Sequence, residues 1–212
     1  MRFESTGFGL LLTGAAGGLD AYSYLAHGGV FAGLQTGNLI LLGVQVGQGH
    51  WPTALRYVAA LLAFALGTAV IRLLQRHRHL THRATLRRRT ILGYAVLLLA
   101  VVGVAGPRLG DRWAVVGLAL AAAALLQEFR QLNGGPFTPL MMTGNLRTLT
   151  ASAVDGVLFG EPAARRQAAR TGALMLSFGV GAAVVAVLVA AHGPLALGVP
   201  AALLGLAALS RP

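Results

Sequence analysis

The stretch from Gly7 to Ala26 reads GFGLLLTGAAGGLDAYSYLA; it is mainly apolar, and Asp20 is its one charged residue. A membrane-spanning helix needs about 20 mainly apolar residues. Five further segments meet this condition: Thr53 to Gln75, Thr90 to Gly106, Arg112 to Leu132, Ala168 to Ala191 and Pro194 to Leu209. Two shorter stretches, Gln35 to Gly47 and Met141 to Leu158, are expected to be short spans or re-entrant half-helices. The sequence therefore predicts an all-α integral membrane protein with about six transmembrane helices.

The composition of the whole chain supports this fold class. Of 212 residues, 56% are hydrophobic and 11% are charged, whereas an ordinary soluble domain has roughly 25% charged residues. So few charges cannot cover a soluble surface of this size, and so much apolar content excludes a disordered chain. The absence of cysteine excludes a disulfide framework. The net charge of +11 indicates either a nucleic-acid partner or basic cytoplasmic loops.

A four-residue motif occurs twice, separated by about half the chain. Thr36-Gly37-Asn38-Leu39 recurs 107 residues later as Thr143-Gly144-Asn145-Leu146. A double glycine and an aromatic residue precede each copy, and each copy has the same place in the order of long and short segments. The sequence therefore predicts an internal duplication within one membrane domain, with repeat one over residues 1–106 and repeat two over residues 107–212.

The arginine residues indicate how the segments are oriented. All 17 basic residues are arginines, and ten of them lie in Arg72–Arg89 and Arg165–Arg170. Basic loops favour the cytoplasmic side. Both clusters are cytoplasmic if the Thr-Gly-Asn segments re-enter the membrane without crossing it, and the two repeats are then inverted. If these segments cross fully, the chain has eight spans and parallel repeats. The charge rule favours inverted repeats, a basic cytoplasmic loop over residues 76–89 and cytoplasmic termini.

Three motifs in the first half carry a family resemblance: Gly18-Leu19-Asp20-Ala21-Tyr22-Ser23-Tyr24-Leu25, Gly29-Val30-Phe31 and Gln35-Thr36-Gly37-Asn38-Leu39. Together with Thr143-Gly144-Asn145 they resemble the YoaK family of bacterial membrane proteins, a family of unknown function. The resemblance covers nearly the whole chain. It implies a protein of the bacterial inner membrane but supplies no agreed activity. Gln35 departs from the family pattern, which usually has methionine at this position.

Asp20 is the first candidate functional residue, because a charged group inside the bilayer is costly and is usually paired, protonated or in a water-filled cavity. It lies about two-thirds of the way through the first segment. One interpretation is that Asp20 binds substrate or couples transport to a proton or cation. The other is that it packs helices by accepting hydrogen bonds from hydroxyl or backbone N–H groups. Its equivalent in repeat two is Gln127, and the two polar residues predict a shared central site.

The Thr-Gly-Asn motifs suit helices that begin inside the membrane. Thr and Asn side chains satisfy free backbone groups at a helix start, and helix N-termini attract anionic or polar groups. The motif residues are therefore expected either to surround a substrate at the bilayer midplane or only to cap two re-entrant helices. They are Thr36, Asn38, Thr143 and Asn145.

Other polar residues are secondary candidates: Gln35, Glu128, Arg147 and Asp155. Glu128 is expected to form an interfacial pair with Arg130 near the inner end of the fourth segment. No metal is expected at His77, His79 and His82, because the surrounding arginines repel a cation. This loop is expected to meet anionic headgroups. Nucleic acid is disfavoured as a partner, because neither aromatic interleaving nor a binding fold accompanies the basic run.

Two pairs of small residues predict close helix packing: Gly14 with Gly18, and Ser177 with Gly181. The sequence shows no nucleophile–base or metal constellation and no cofactor motif, so neither an enzyme nor a bound cofactor is expected.

The sequence favours a secondary transporter with a site for a small polar molecule or ion between the two repeats. A channel lined by the half-helices and a non-transporting scaffold or regulator remain as alternatives. The bilayer is the expected partner, and a homo-oligomer stays open.

Overall fold

The computed structural model describes residues 5–77, 83–132, 135–136 and 139–210, and most of these residues are helical. The helices are α1 Thr6–Ala26, α2 Gln35–Gly47, α3 Trp51–Arg76, α4 Ala84–Leu109, α5 Asp111–Glu128, α6 Met142–Leu158, α7 Pro162–His192 and α8 Gly198–Leu209. A short 3-10 helix, Gly193–Leu197, joins α7 to α8. The helical prediction is correct except for one small antiparallel ribbon of β1 Gln131–Leu132 and β2 Gly135–Pro136.

Several predicted boundaries differ from the observed helices; α4, for example, begins at Ala84 rather than at Thr90. The predicted segment Arg112 to Leu132 is too long, because α5 ends at Glu128 and Leu132 belongs to the ribbon. An apolar run does not by itself mark where a helix ends. The predicted basic loop over residues 76–89 is shorter, since α4 begins at Ala84 and already includes Arg87 to Arg89. Arginine is a good helix former, so the helix continues through the basic residues. Residues 78–82, which include His79 and His82, lie outside the described part of the chain.

Among the described residues, three helical segments are long and apolar enough to cross a membrane: Trp51–Arg76, Ala84–Gly106 and Pro162–Leu209. The last of these contains α7, the 3-10 helix and α8. α1, which contains Asp20 and five glycines, is not among them, and neither is α5, which carries charged residues in its first and last turns. The helical composition indicates a membrane protein.

Glycine residues bring the backbones of α1 and α7 into direct contact. A Cβ atom at Gly17 would overlap the backbone carbonyl of Phe178, and one at Gly181 would overlap the backbone of Gly14. Gly14 also faces Ser177. The two small-residue pairs predicted from the sequence therefore meet each other, and the predicted close packing is confirmed.

Helices from the first half of the chain pack mainly on helices from the second half. α1 packs on α7, α3 on α5, and α4 on α8. The short helices α2 and α6 pack on the helices that follow them, α3 and α7. α1 and α5 are antiparallel, because the rings of Phe8 and Phe129 lie 5.3 Å apart at one end and His27 contacts Asp111 at the other. The two halves are thus intertwined rather than side by side.

Contacts between side chains join the ends of α3, α4 and α5. Gln75 in the last turn of α3 donates to Glu128 Oε2 at 2.8 Å, and Arg87 in the first turn of α4 donates to Glu128 Oε1 at 2.9 Å. Glu128 ends α5 and is adjacent to Phe129, which contacts Phe8 near the start of α1. These helix ends therefore lie at one end of the bundle.

The described arginines of both clusters lie at this same end. In the first cluster, Arg72 and Arg76 lie at the end of α3, and Arg83 and Arg87 to Arg89 lie at the start of α4. Arg165–Arg170 lies in the first turns of α7, just before Leu174, which lies over Gly9 near the start of α1. We call this end of the molecule, defined by the two arginine clusters, the basic end.

The close packing of α1 and α7 leads to a matched pair of variants in α7. Gly181→Ala should lower the stability by about 1–3 kcal/mol, because the new methyl group forces the two backbones apart. Gly179→Ala should be neutral or slightly stabilising, since a Cβ there meets open space and alanine is the better helix former. Thermal unfolding of the purified proteins in the same detergent checks this prediction, and equal melting temperatures for the two variants would contradict it.

Candidate functional site

The Asp20 carboxylate holds the loop that leads from α1 into α2. Asp20 is buried, and its Oδ1 accepts a hydrogen bond from the backbone N–H of Gly33 at 2.6 Å. The backbone N–H groups of Ala32 and Leu34 also interact with this carboxylate. Because Leu34 directly precedes α2, the negative charge lies at the positive end of this helix, where it is favourable. Asp20 therefore makes the backbone hydrogen bonds expected of a helix-packing residue, which was one of the two interpretations of its sequence position.

Asn38, in the first turn of α2, clamps the same loop. Its Oδ1 accepts from the N–H of Phe31 at 2.9 Å, and its Nδ2 donates to the carbonyl of Phe31 at 2.7 Å. Nδ2 also donates to Gln35 Oε1 at 3.0 Å, while Gln35 Nε2 donates to the carbonyl of Ala32 at 2.8 Å. Asn38 is fully buried. Both ends of its amide group are occupied by protein, so its role in this structure is to hold the loop at Phe31. The expected capping is not seen, because no side chain caps the start of either short helix.

The loop can fold back from the end of α1 because two glycines adopt conformations that other residues resist. Gly28 and Gly29 have φ angles of +68° and +78°, in the left-handed region where a side chain is unfavourable. The turn lets the chain re-enter the bundle and brings Phe31 against Tyr24, with the two rings stacked at 4.8 Å.

A cavity of about 600 Å³ lies beside Asp20, where the starts of α2 and α6 meet. Its walls come from α1, α7 and the residues at the start of both short helices, including Thr143 of the second Thr-Gly-Asn motif. The rings of Tyr24, Phe31 and Phe178 line it, and Asp20 is the charged group among the described lining residues. The sequence-predicted residues Asp20 and Thr143 therefore share one mainly apolar cavity.

The two short helices diverge from this cavity. The loops before them are in contact, because a Cβ atom at Gly33 would overlap the side chain of Leu140. α2 leads to the start of α3, away from the basic end, whereas α6 leads to the start of α7 at the basic end. Two helix N-termini thus meet beside this cavity, and the two helices run away from it in opposite directions.

Residues 8–210 match the family described as "Protein of unknown function (DUF1275)". The chain belongs to the DUF1275 family. The expectation of an uncharacterised family covering nearly the whole chain is confirmed, while the YoaK name rests on the motifs alone. No curated protein and no solved structure matches the chain significantly.

Gln127 of the DUF1275 protein does not join Asp20 as predicted. Its Nε2 donates to Gln75 Oε1 at 3.1 Å, at the basic end. Because α1 and α5 are antiparallel, Gln127 lies near the level of Phe8, which precedes Asp20 by about 18 Å along α1. Asp20 and Gln127 both lie in the second half of their helices, and because these helices are antiparallel, the two residues lie towards opposite ends of the bundle.

The expected partner of Glu128 is also corrected. Glu128 pairs with Arg87 rather than with its neighbour Arg130, and its side chain is 1% exposed. Glu128, Arg87, Gln75 and Gln127 form a polar cluster that joins α3, α4 and α5. The sequence missed this cluster because its members come from distant segments with no local pattern.

The remaining predicted residues lie apart from the cavity. Thr36, Arg147 and Asp155 are exposed on the two short helices. Asn145 is half-buried, and its Nδ2 lies 3.7 Å from Met142 Sδ. Residues 137–138, at the position that would correspond to Phe31, lie outside the described part of the chain.

The clamp formed by Asn38 gives a stability prediction. Asn38→Ala should destabilise the DUF1275 protein by about 1–3 kcal/mol, because the buried N–H of Phe31 loses its acceptor. Thr36→Ala, in the same turn of α2, should change the stability little, since Thr36 is exposed. Melting temperatures in one detergent compare the two variants, and a clamp role is excluded if Asn38→Ala melts like the parent protein.

Proposed function

We propose that this DUF1275 protein is a small-molecule transporter of the bacterial inner membrane, with its substrate site in the Asp20 cavity. The observation that carries the proposal is that one cavity combines a buried carboxylate with the N-termini of two short helices. Secondary transporters with inverted repeats bind substrates near the bilayer midplane at such discontinuous helices. The volume of about 600 Å³ lies within the usual range for ligand pockets.

The packing of the helices supports two inverted repeats. In a duplicated chain, α1 corresponds to α5, α2 to α6, α3 to α7 and α4 to α8. When each helix is replaced by its counterpart, the contact of α1 with α7 becomes that of α5 with α3. The same exchange turns α2–α3 into α6–α7, and α4–α5 into α8–α1, all of which occur. The contacting residues Gly33 and Leu140 are themselves 107 positions apart, as are the starts of α2 and α6.

The positions of the arginines support the orientation. Since the described arginines of both clusters lie at the basic end, one orientation places these nine arginines in the cytoplasm, as the positive-inside rule favours. In this arrangement α1, α3, α4, α5 and α7 cross the membrane, and the 3-10 helix together with α8 forms the sixth crossing. The helices α2 and α6 re-enter the membrane from opposite sides. Irregular backbone at membrane depth is tolerated where protein buries it and supplies hydrogen-bond partners. Asp20 and Asn38 supply such partners to backbone groups of the loop before α2.

The proposed roles of the candidate residues follow from their surroundings. Asp20 supplies the charge for substrate binding or for coupling to a proton or cation, and Thr143 supplies a hydroxyl group from the other repeat. Asn38 and Gln35 both hold the loop that precedes α2. We propose no catalytic activity and no cofactor; the bilayer and a small polar molecule or ion are the proposed partners.

A membrane scaffold or regulator is the second candidate, and one observation favours it. The Asp20 carboxylate and the Asn38 amide are both used to hold the loop before α2. If these polar residues only hold the loop, neither of them binds a substrate, and the protein has no transport activity.

Uptake into liposomes separates these functions. Purified protein should take up at least one solute from a broad metabolite panel in a saturable manner, with or without a pH gradient. Asp20→Asn should reduce this uptake by about tenfold or more, while retaining an acceptor oxygen for Gly33 and therefore the fold. Asp155→Asn is the matched control, because Asp155 is exposed. Non-saturable flux would indicate a channel, and no flux of any solute would favour the scaffold.

Single cysteines test the topology, and the absence of native cysteine keeps the labelling specific. A cysteine at Ala163, at the start of α7, should resist a membrane-impermeant thiol reagent in intact cells and react after lysis. A cysteine at Gln48, between α2 and α3, should react in intact cells. Both positions are exposed in the structure. Labelling of the Ala163 position from outside would disprove the proposed inverted topology.

A further inference from the structure

The walls of the Asp20 cavity are mainly apolar, which limits the kind of molecule that it can hold. Most of the residues that line it are alanine, glycine, leucine, methionine or phenylalanine. The polar side chains among the described lining residues are Asp20, Tyr24 and Thr143. A strongly polar metabolite would lose its hydration in such a cavity without regaining as many hydrogen bonds. The molecule that fits therefore has an apolar body and few polar groups.

The charge of the cavity favours a cation over an anion. Asp20 is the charged group among the described residues that line it, and neither arginine nor histidine is found among them. The starts of α2 and α6 carry only partial positive charges, and the effect of such a charge fades within the first turn of a helix. A carboxylate carries a full charge, which acts over several ångströms in surroundings of low polarity. The full charge outweighs the partial ones.

The aromatic rings in the wall favour an organic cation over an inorganic one. Tyr24 and Phe31 are stacked with their ring centroids 4.8 Å apart, and Phe178 adds a third ring from α7. The faces of aromatic rings attract ammonium groups. A bare divalent metal ion needs roughly six oxygen ligands, which the few polar side chains of this cavity cannot supply. The volume of about 600 Å³ is that of a site for an organic molecule.

We propose that the Asp20 cavity binds an organic cation, with one ammonium group and an apolar body that contains a ring. The proposal rests on the transport function proposed above and names its substrate class. The Asp20 carboxylate neutralises the ammonium group, while the aromatic rings contact the ammonium group and the apolar body. The hydroxyl oxygen of Thr143 accepts a hydrogen bond when the ammonium group carries hydrogen.

Three probes of similar shape but different charge test the ligand class by equilibrium dialysis against the purified protein, with protein-free micelles as the blank. The cation 2-phenylethylammonium should bind in a saturable manner. The uncharged 2-phenylethanol and the anion 3-phenylpropionate should bind at least about tenfold more weakly. Methylammonium, which has the charge without the ring, should not compete at equal concentration. Tighter binding of the alcohol or of the anion would overturn the proposal.

Two matched pairs of variants test the residues. Asp20→Asn should weaken binding of 2-phenylethylammonium at least about tenfold, whereas Asp155→Asn, at an exposed position, should bind like the parent protein. Tyr24→Leu should weaken binding about fivefold, and Tyr24→Phe, which keeps the ring, should weaken it less. Phe159→Leu is the control for the loss of a ring, since Phe159 is 73% exposed and lies outside the cavity.

Melting temperatures show which variants are folded. Tyr24 is 45% exposed, so Tyr24→Leu tests the site even if Asp20→Asn does not fold. Binding equal to that of the parent protein in folded Asp20→Asn or in Tyr24→Leu would refute the proposed site.

The ligand class and the transport function can fail separately. If the liposome panel yields an anionic or uncharged solute whose uptake requires Asp20, the transport function stands and the ligand class is wrong. If 2-phenylethylammonium binds in a manner that requires Asp20 but no solute is taken up, the ligand class stands and the transport function is wrong.

Discussion

The hydrogen bond from Gly33 to the buried Asp20 carboxylate is the interaction on which the central part of the structure depends. A backbone that leaves the helical conformation exposes polar groups, and inside a bundle of apolar helices each of them needs a partner. Asp20 supplies that partner from α1, and Asn38 does the same for Phe31 from the first turn of α2. Because the loop is held in this way, α2 begins beside Asp20, about two-thirds of the way along α1, and a cavity lies next to it.

Small residues allow the long apolar helices to pack closely against each other. Apolar side chains do not drive helices together in lipid, so association depends on close van der Waals packing. At the crossing of α1 and α7, glycines allow direct backbone contact, as between Gly14 and Gly181. At the corresponding crossing of α3 and α5, Gly67 faces Ala123 and Leu120, and a Cβ atom there would lie 2.9 Å from that of Ala123. The same device therefore operates at both crossings, with alanine replacing glycine on one side.

Local patterns predicted the parts of the structure that depend on local sequence. The bounds of α2 and the facing pairs around Gly14 and Gly181 follow from apolar length, helix-start chemistry and spacing. The partners of polar groups depend on which segments pack together, and one sequence does not contain that information. For this reason the sequence paired Glu128 with its neighbour instead of Arg87, and it missed His27–Asp111, whose members are 84 residues apart.

The pairing of α1 with α7 also has a consequence for biosynthesis. The ribosome completes α1 more than a hundred residues before α7 emerges, because α7 begins only at Pro162. Until then the glycine face of α1 has no helix to meet. Long-range contacts of this kind slow folding, since a large loop must close before they form. The bundle therefore assembles late, after nearly the whole chain has been synthesised.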